Sequence, residues 1–415
     1  MMSKVLLCGE LFCAVDCSVK KNQAILIEDG VIADIRPIEN IPVQNKEIID
    51  LQDCFVMPGL IDAHVHTVMD AVPMASQNLA RKTYGELAFL SMKNAQDDLM
   101  AGFTSLRDEC SYGWVDVALR DAINNGITWG PRMMVAGPSI SCTGGHGDSH
   151  YNPEVSGYCS LSIVCDGADE CRKAARKIFK YGADHLKLCG TGGVGSIGDE
   201  PGASELTYDE MKAAIDVAKS KGRTSSVHAH GAGGIKTAVL AGITSVEHGM
   251  LIDEETMDLL VEKGVYLVPT IIASHNIIRG GEKGGMPAHN VQKAKSASAT
   301  HREHLMEMRR KGVKIAFGSD AGTAFNRHGK QGEEFALMVE TGFTPEEALL
   351  SGTRCAAELM RWDKKVGTIE AGKYADIVAF PRSPLEDIAV MQECGFVMKQ
   401  GVVYRNDYVD ACCIE

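Results

Sequence analysis

Two rhythms of apolar and polar residues alternate along this chain. Short apolar runs end in polar or ionisable residues, and longer stretches with helical spacing separate them. The runs are Val56–His66, Thr104–Asp108, Arg132–Gly137, Asp184–Cys189, Thr224–His228, Ile243–His248, Val265–Thr270 and Lys314–Asp320. Each reads as a buried strand. Helical patterns lie between them. Thr207, for example, precedes Tyr208–Ile215 with Glu210 in the capping-box position. Eight strands with intervening helices predict an α/β fold, a (β/α)8 TIM barrel. A doubly wound open sheet is the alternative, but it would bind at a switch point and would not gather residues from five separate strands.

The ends follow a different pattern. Ala24–Glu28 and Val31–Ile35 flank Asp29-Gly30, a hairpin signal, and Glu47–Leu51 adds a strand. Near the other end, Ala375–Phe380 reads as a strand, and Phe396–Lys399 and Val402–Tyr404 flank Gln400-Gly401. The first end alone is too short for a good core. The expectation is one small β-sandwich domain made from residues 1–57 plus 366–415, with the barrel, residues 58–365, inserted between them.

Composition narrows the class. The 415 residues are 45% hydrophobic and 23% charged, with 43 glycines for turns, as in an ordinary globular protein. The formal charge of −13 and the lack of a strong basic run argue against nucleic acid as a partner. They say little about a small-molecule substrate, because the field in a cleft differs from the net field. None of the 14 cysteines forms Cys-x-x-Cys, and the spacings Cys8, Cys13, Cys17 and Cys159, Cys165, Cys171 fit no zinc-ribbon or haem pattern. That predicts a reduced, cytoplasmic protein. The pair Cys412-Cys413 is open to oxidation but reads as incidental. The apolar patch at the start is too short for a signal peptide and Glu10 interrupts it, and no stretch approaches the length of a membrane span.

The chemistry collects at the strand ends. His64 and His66 are alternate residues on the first strand, so they share a face and make half of a metal site. Alone, that pair is weak evidence. Lys187, His228, His248 and Asp320 each stand late in other strands, and strand ends converge on one face of a barrel. Singly, Lys187 reads as a salt-bridge lysine, the histidines as core residues and Asp320 as a helix cap. Together those readings require repeated coincidence at one end of the fold.

On its motifs the whole chain resembles the amidohydrolase superfamily. They are Pro58–His66, Val246-Glu247-His248-Gly249, Gly318-Ser319-Asp320-Ala321-Gly322 and Gly372–Asp376. Gly144-Gly145-His146-Gly147 and His228-Ala229-His230-Gly231 are similar to peptidase members of the binuclear prolidase-like and imidazolonepropionase-related branch. The resemblance implies two divalent metal ions, zinc first, with manganese or cobalt as alternatives. His64, His66 and Asp320 would hold one ion, and His228 and His248 the other. Lys187, carboxylated, would bridge both. A bare ammonium has no lone pair to give, whereas a carbamate supplies two oxygens.

The implied reaction is hydrolysis of an amide in a dipeptide or N-acyl amino acid, of the Xaa-Pro or Xaa-Arg/Lys type, by a hydroxide between the metals. Asp320 would carry the proton to the leaving amine. His146 is assigned to the carbonyl oxygen or substrate carboxylate, and His230, Arg327 and His328 to substrate binding. The His230-Gly231 pair departs from Xaa-Pro members, which carry a tyrosine there, and so favours other C-terminal residues. Cyclic-amide hydrolysis, as in imidazolonepropionase, and deamination are the alternatives; one-metal deaminases lack the bridging lysine, so Lys187 counts against them. A non-catalytic scaffold would have lost ligands that are all present here. Family precedent implies a homo-oligomer. Gly190–Gly195 reads as a loop approaching the substrate closely, not as a phosphate cradle, because no Lys-Ser/Thr follows it. The stretch 274–300 reads either as a lid or as a disordered surface loop.

Overall fold

The strand Glu47–Pro58 joins the two ends of the chain. It runs parallel to Lys4–Phe12 and antiparallel to Ile377–Phe380. Around it forms one seven-stranded sheet, in the order Val402–Asn406, Phe396–Lys399, Ile377–Phe380, Glu47–Pro58, Lys4–Phe12, Val19–Glu28, Val31–Pro37. Alternate residues of these strands share a core, with Leu6 and Cys8, Ile25 and Ile27, Ile377 and Ala379, and Phe396 and Met398 all buried in it. Both predicted hairpins form. Asp29 and Gly30 have φ of 48° and 80°, and Gln400 and Gly401 have 49° and 75°, the paired positive values that match the twist of two-residue hairpins.

This computed structural model describes residues 3–41, 46–149 and 160–408; Cys159, Cys412 and Cys413 lie outside the described residues. The chain divides into two compact units. One comprises Met1–Asp62, Gln96–Ser105 and Gly329–Glu415, and the other Ala63–Ala95 and Leu106–His328. No described helix is long and apolar enough to cross a membrane.

The barrel strands are β1 (Leu60–Val65), β2 (Phe103–Asp108), β3 (Arg132–Val135), β4 (Leu186–Cys189), β5 (Ser225–Gly231), β6 (Ser245–Leu251), β7 (Tyr266–Val268) and β8 (Lys314–Ile315). β4 to β8 pair in parallel in sequence order. The remaining links are backbone bonds: Glu109 N–H to Val65 O (2.9 Å), Ala136 N–H to Asp108 O (3.2 Å) and Asp184 N–H to Val135 O (2.7 Å). Ala63 N–H donates to Phe317 O at 3.0 Å and closes the ring. All eight predicted strands are present, and the capping box of Thr207 and Glu210 forms as expected.

Three details differ from the sequence reading. The opening run is two strands, not one, because the chain passes from Glu47–Pro58 to β1 at Gly59. A Cβ there would lie 2.3 Å from Thr104 Oγ1, so only glycine fits the crossing. Two short strands, Ser139–Ser141 and Ser162–Val164, extend the sheet beside β4 and were too brief to register as apolar runs. The stretch 274–300 is not a disordered loop. It holds most of the helix Ile271–Gly280, a turn at Glu282–Gly284 and the helix Ala288–Ser298. Ile277, Met286, Val291, Ala294 and Ala297 bury together in one apolar cluster. The glycines at 280–285 concealed a helical spacing that resumes beyond them.

Candidate active site

The histidines of β1 lie where the strand meets the loop after β8. Asp320 N–H donates to His64 O (2.7 Å) and His66 N–H to Ala321 O (2.8 Å). These bonds fix the Asp320 side chain opposite both rings, with Oδ1 3.4 Å from His64 Nε2 and 3.1 Å from His66 Nε2. One ligating atom from each of the three residues falls within 4.8 Å of the others, a group that could hold a metal ion. Asp320 Oδ1 is buried and makes no hydrogen bond among the described residues. The other predicted ligands are adjacent. The His248 ring centroid is 5.1 Å from that of His64 and 4.6 Å from that of His228. Lys187, on β4, lines the same cavity.

The ring nitrogens not needed for a ligand are occupied. His64 Nδ1 is 2.8 Å from Glu247 Oε2; a carboxylate only accepts, so Nδ1 carries the proton and Nε2 keeps its lone pair. His228 Nε2 donates to Gly192 O at 3.4 Å, which frees Nδ1. His248 Nδ1 contacts Thr270 Oγ1 at 2.6 Å. Burial holds His64, His228 and His248 well below the usual imidazole range, helped by Lys187, His146 and His230 respectively. These three are neutral imidazoles with directed lone pairs, as a divalent ion requires; against the lowering effect of burial, Cys110 and Asp320 raise His66 well above the usual range, so an ion held there would displace its proton. His248, Thr270 and Asp320 have φ of 73°, 46° and 62°, left-handed values that non-glycine residues keep only where surroundings impose them.

Behind these ligands lies a charge network that the sequence reading missed. Arg107 Nη2 donates to both Glu247 oxygens, at 2.9 and 3.0 Å, and Nη1 to Ser245 Oγ at 3.0 Å. Its Nε donates to Ala63 O at 2.6 Å and lies 2.8 Å from Glu109 Oε1. Glu109 Oε2 accepts from Ser226 Oγ (2.6 Å) and sits 2.8 Å from Lys187 Nζ. Burial alone would raise the Glu109 carboxyl, but Arg107 and Lys187 outweigh it and hold it well below the carboxylate range. A signal existed. Arg107 and Glu109, and likewise Ser245 and Glu247, are two residues apart within or beside strands, so each pair shares a face.

Of the four residues assigned to substrate, two reach the cavity. His146 lines it, with its ring stacked 3.9 Å from that of His228 and Nδ1 2.8 Å from Ser196 Oγ. In the Gly190–Gly195 loop the close approach seen is to this side chain, since a Cβ on Gly193 would lie 2.2 Å from the His146 ring. His230 also lines the cavity, is pushed down to about 3 by burial with His146 adding to it, and leaves Nδ1 unpartnered among the described residues. Arg327 is exposed, and His328 is buried with Nε2 3.2 Å from His66 O; neither lines the cavity. The reason is local. Gly322 N–H bonds Asn326 O at 2.8 Å and Asn326 Nδ2 bonds Ser319 O at 2.7 Å, closing the loop before Arg327. The cavity itself measures about 210 Å³.

The amidohydrolase family pattern matches residues 55–404. Ochratoxinase of Aspergillus niger is 32% identical over 396 residues, covering 90% of this chain and 80% of its own length. A solved Xaa-Pro dipeptidase with methionine in its active site matches with a TM-score of 0.91 at 35% identity, covering 97% of this chain and 100% of its own. A prolidase in complex with N-methylphosphonate-L-proline matches at 0.89 and 30%, covering 97% and 100%.

Proposed function

Because this chain belongs to the amidohydrolase family, we propose that it is a metal-dependent hydrolase that cleaves the amide bond of a dipeptide or an N-acyl amino acid. The observation that carries this reading is the convergence of His64, His66, Lys187, His228, His248 and Asp320 on one cavity. The peptidase names of two similar structures support it. His64, His66 and Asp320 would hold one divalent ion, His228 and His248 a second, and carboxylated Lys187 would join them. Zinc suits this donor set best. Ions bound there supply Lewis acidity and bring the pKa of water toward about 7.

The residues of the chain account for the rest. Asp320 accepts the proton of the attacking water and returns it to the leaving amine. His146, with Nδ1 bonded to Ser196 Oγ, would contact the substrate from the cavity lining. His230, held neutral by burial, lines the cavity and would contact the substrate there. Arg107 and Glu247 keep His64 in the tautomer that presents Nε2.

The test is a hydrolysis screen of zinc-supplemented protein against dipeptides and N-acyl amino acids, with free amine as the readout and Lys187→Ala as the control. Release of amine from a group of related amides, lost in the variant together with metal, is the expected result. A fully metal-loaded protein that cleaves none of them would overturn the reading.

A further inference from the structure

The lining of the cavity has two parts of different chemistry. One carries the imidazoles, Lys187 and Asp320. The other is the inner face of an apolar cluster. Val194, Met250, Ile277, Met286 and Ala324 belong to both the cluster and the cavity lining. They come from separate segments: the loop after β4, β6, the helix Ile271–Gly280, the turn before the next helix and the loop after β8. All five are buried, between 3% and 8% exposed. Met69 and Met74 add two more thioethers to the lining. Met74 is held at φ 56°, a conformation that a long side chain keeps only when its surroundings fix it.

Among the described residues, the apolar cluster offers no partner for a charge. Among the described lining residues there is no arginine, and the lysine, Lys187, lies 2.8 Å from Glu109. The carboxylate of Asp320 faces His66, and Asp148, which accepts from Gly144 N–H at 2.9 Å, lies outside the apolar cluster. A charged group pressed against these apolar side chains would lose its water and gain no counter-ion from them. A large apolar group would instead lose only unfavourable hydration, and flexible thioethers adapt to varied apolar shapes.

Building on the amide-hydrolase reading, we propose that the substrate presents a bulky uncharged apolar group to this apolar lining, an aromatic, branched aliphatic or thioether side chain, and that Met250, Ile277 and Met286 determine this specificity. Xaa-Arg/Lys substrates are disfavoured.

The experiment compares kcat/KM over two amide series on the zinc-loaded protein. One varies the amine-side residue and the other the acyl side, through Phe, Leu, Met, Arg, Lys, Asp and Glu. In at least one series the apolar members should exceed the charged ones by about 100-fold or more. Met286→Lys should narrow that gap and raise relative activity on Asp and Glu, with zinc content by mass spectrometry unchanged; Met250→Ala is the milder second variant, expected to lower activity on the largest apolar members. Amides cleaved with no preference for apolar groups, or with preference for Arg and Lys, would overturn the specificity while leaving the hydrolase reading intact. If no amide is cleaved, the hydrolase reading fails. Calorimetric titration of the same protein with 3-phenylpropionate, succinate and 6-aminohexanoate then tests the apolar lining. Tighter binding of 3-phenylpropionate supports an apolar-binding lining, and equal or weaker binding overturns it.

Discussion

In the sheet made from the chain ends, the buried core consists of aliphatic, aromatic and thiol side chains, among them Leu6, Cys8, Ile25, Phe396 and Met398. In the barrel, residues of equal burial include Arg107, Glu109, Lys187 and Glu247. The first interior is the low-energy choice, because apolar groups gain on leaving water. The second is costly. Taking ions from water carries a penalty that pairing only partly repays, and an apolar replacement is often as stable. The terminal core therefore holds the sheet together, whereas the charged interior orients ligands. Arg107 ties Glu247 to His64 and Glu109 to Lys187, so four strands of the barrel meet in one bonded set at the site.

That contrast can be broken most forcefully at Arg107. Arg107→Met leaves Glu109 and Glu247 buried without their shared cation and should lower stability by about 3–5 kcal/mol. Chemical denaturation of metal-free protein measures this. A loss under about 1 kcal/mol would mean that the network is not held by its arginine.

A smaller effect isolates the ligand side. Glu247→Gln keeps the shape but no longer obliges His64 to protonate Nδ1, and zinc affinity should fall about 10- to 100-fold. Competition with a chromophoric chelator reads it, and unchanged affinity would separate Glu247 from ligand orientation. Ile377→Val in the terminal core should cost only about 0.5–1.5 kcal/mol. Zinc stoichiometry should not change, and a loss of zinc there would erase the distinction between the two interiors.

The smallest effect is a slope with pH. Burial pushes Glu205, whose carboxylate accepts His146 N–H, up to about 7 from an ordinary 4.5. The folded protein thus binds that proton more tightly than the unfolded chain. The stability it contributes is fully present below about 4.5 and is lost as pH rises through about 7. Relative to Glu205→Gln, the wild type should gain Tm on acidification from pH 7.5 to 5. Parallel Tm profiles for the two proteins would remove Glu205 as the source.

Much of the barrel was legible because strands buried on both faces read as apolar runs bounded by polar ends. The convergence of His64, His66, Lys187, His228, His248 and Asp320 could be read because each stands late in such a run and a parallel barrel sends all strand ends to one face. Arg107, Glu109 and Glu247 were missed for the converse reason: a charge inside an apolar run looks like an edge residue until its partner from another strand is known. Arg327 and His328 were placed by nearness in sequence to Asp320, but two bonds through Asn326 close the loop before them. The helix Ala288–Ser298 was hidden by the glycines that precede it.

The sequence by itself determined the repeating strand and helix pattern, the pairing of the two ends into one sheet, and which side chains stand at the strand ends. These follow from local periodicity and turn chemistry, which act over a few residues. Only the tertiary structure decided which charges pair in the barrel interior, which ring nitrogens are left free, and which apolar residues from five segments come together in the cavity lining. Those depend on contacts between residues far apart in the chain, such as His64 and Glu247, and a contact of that kind has no signature in the spacing of either residue alone.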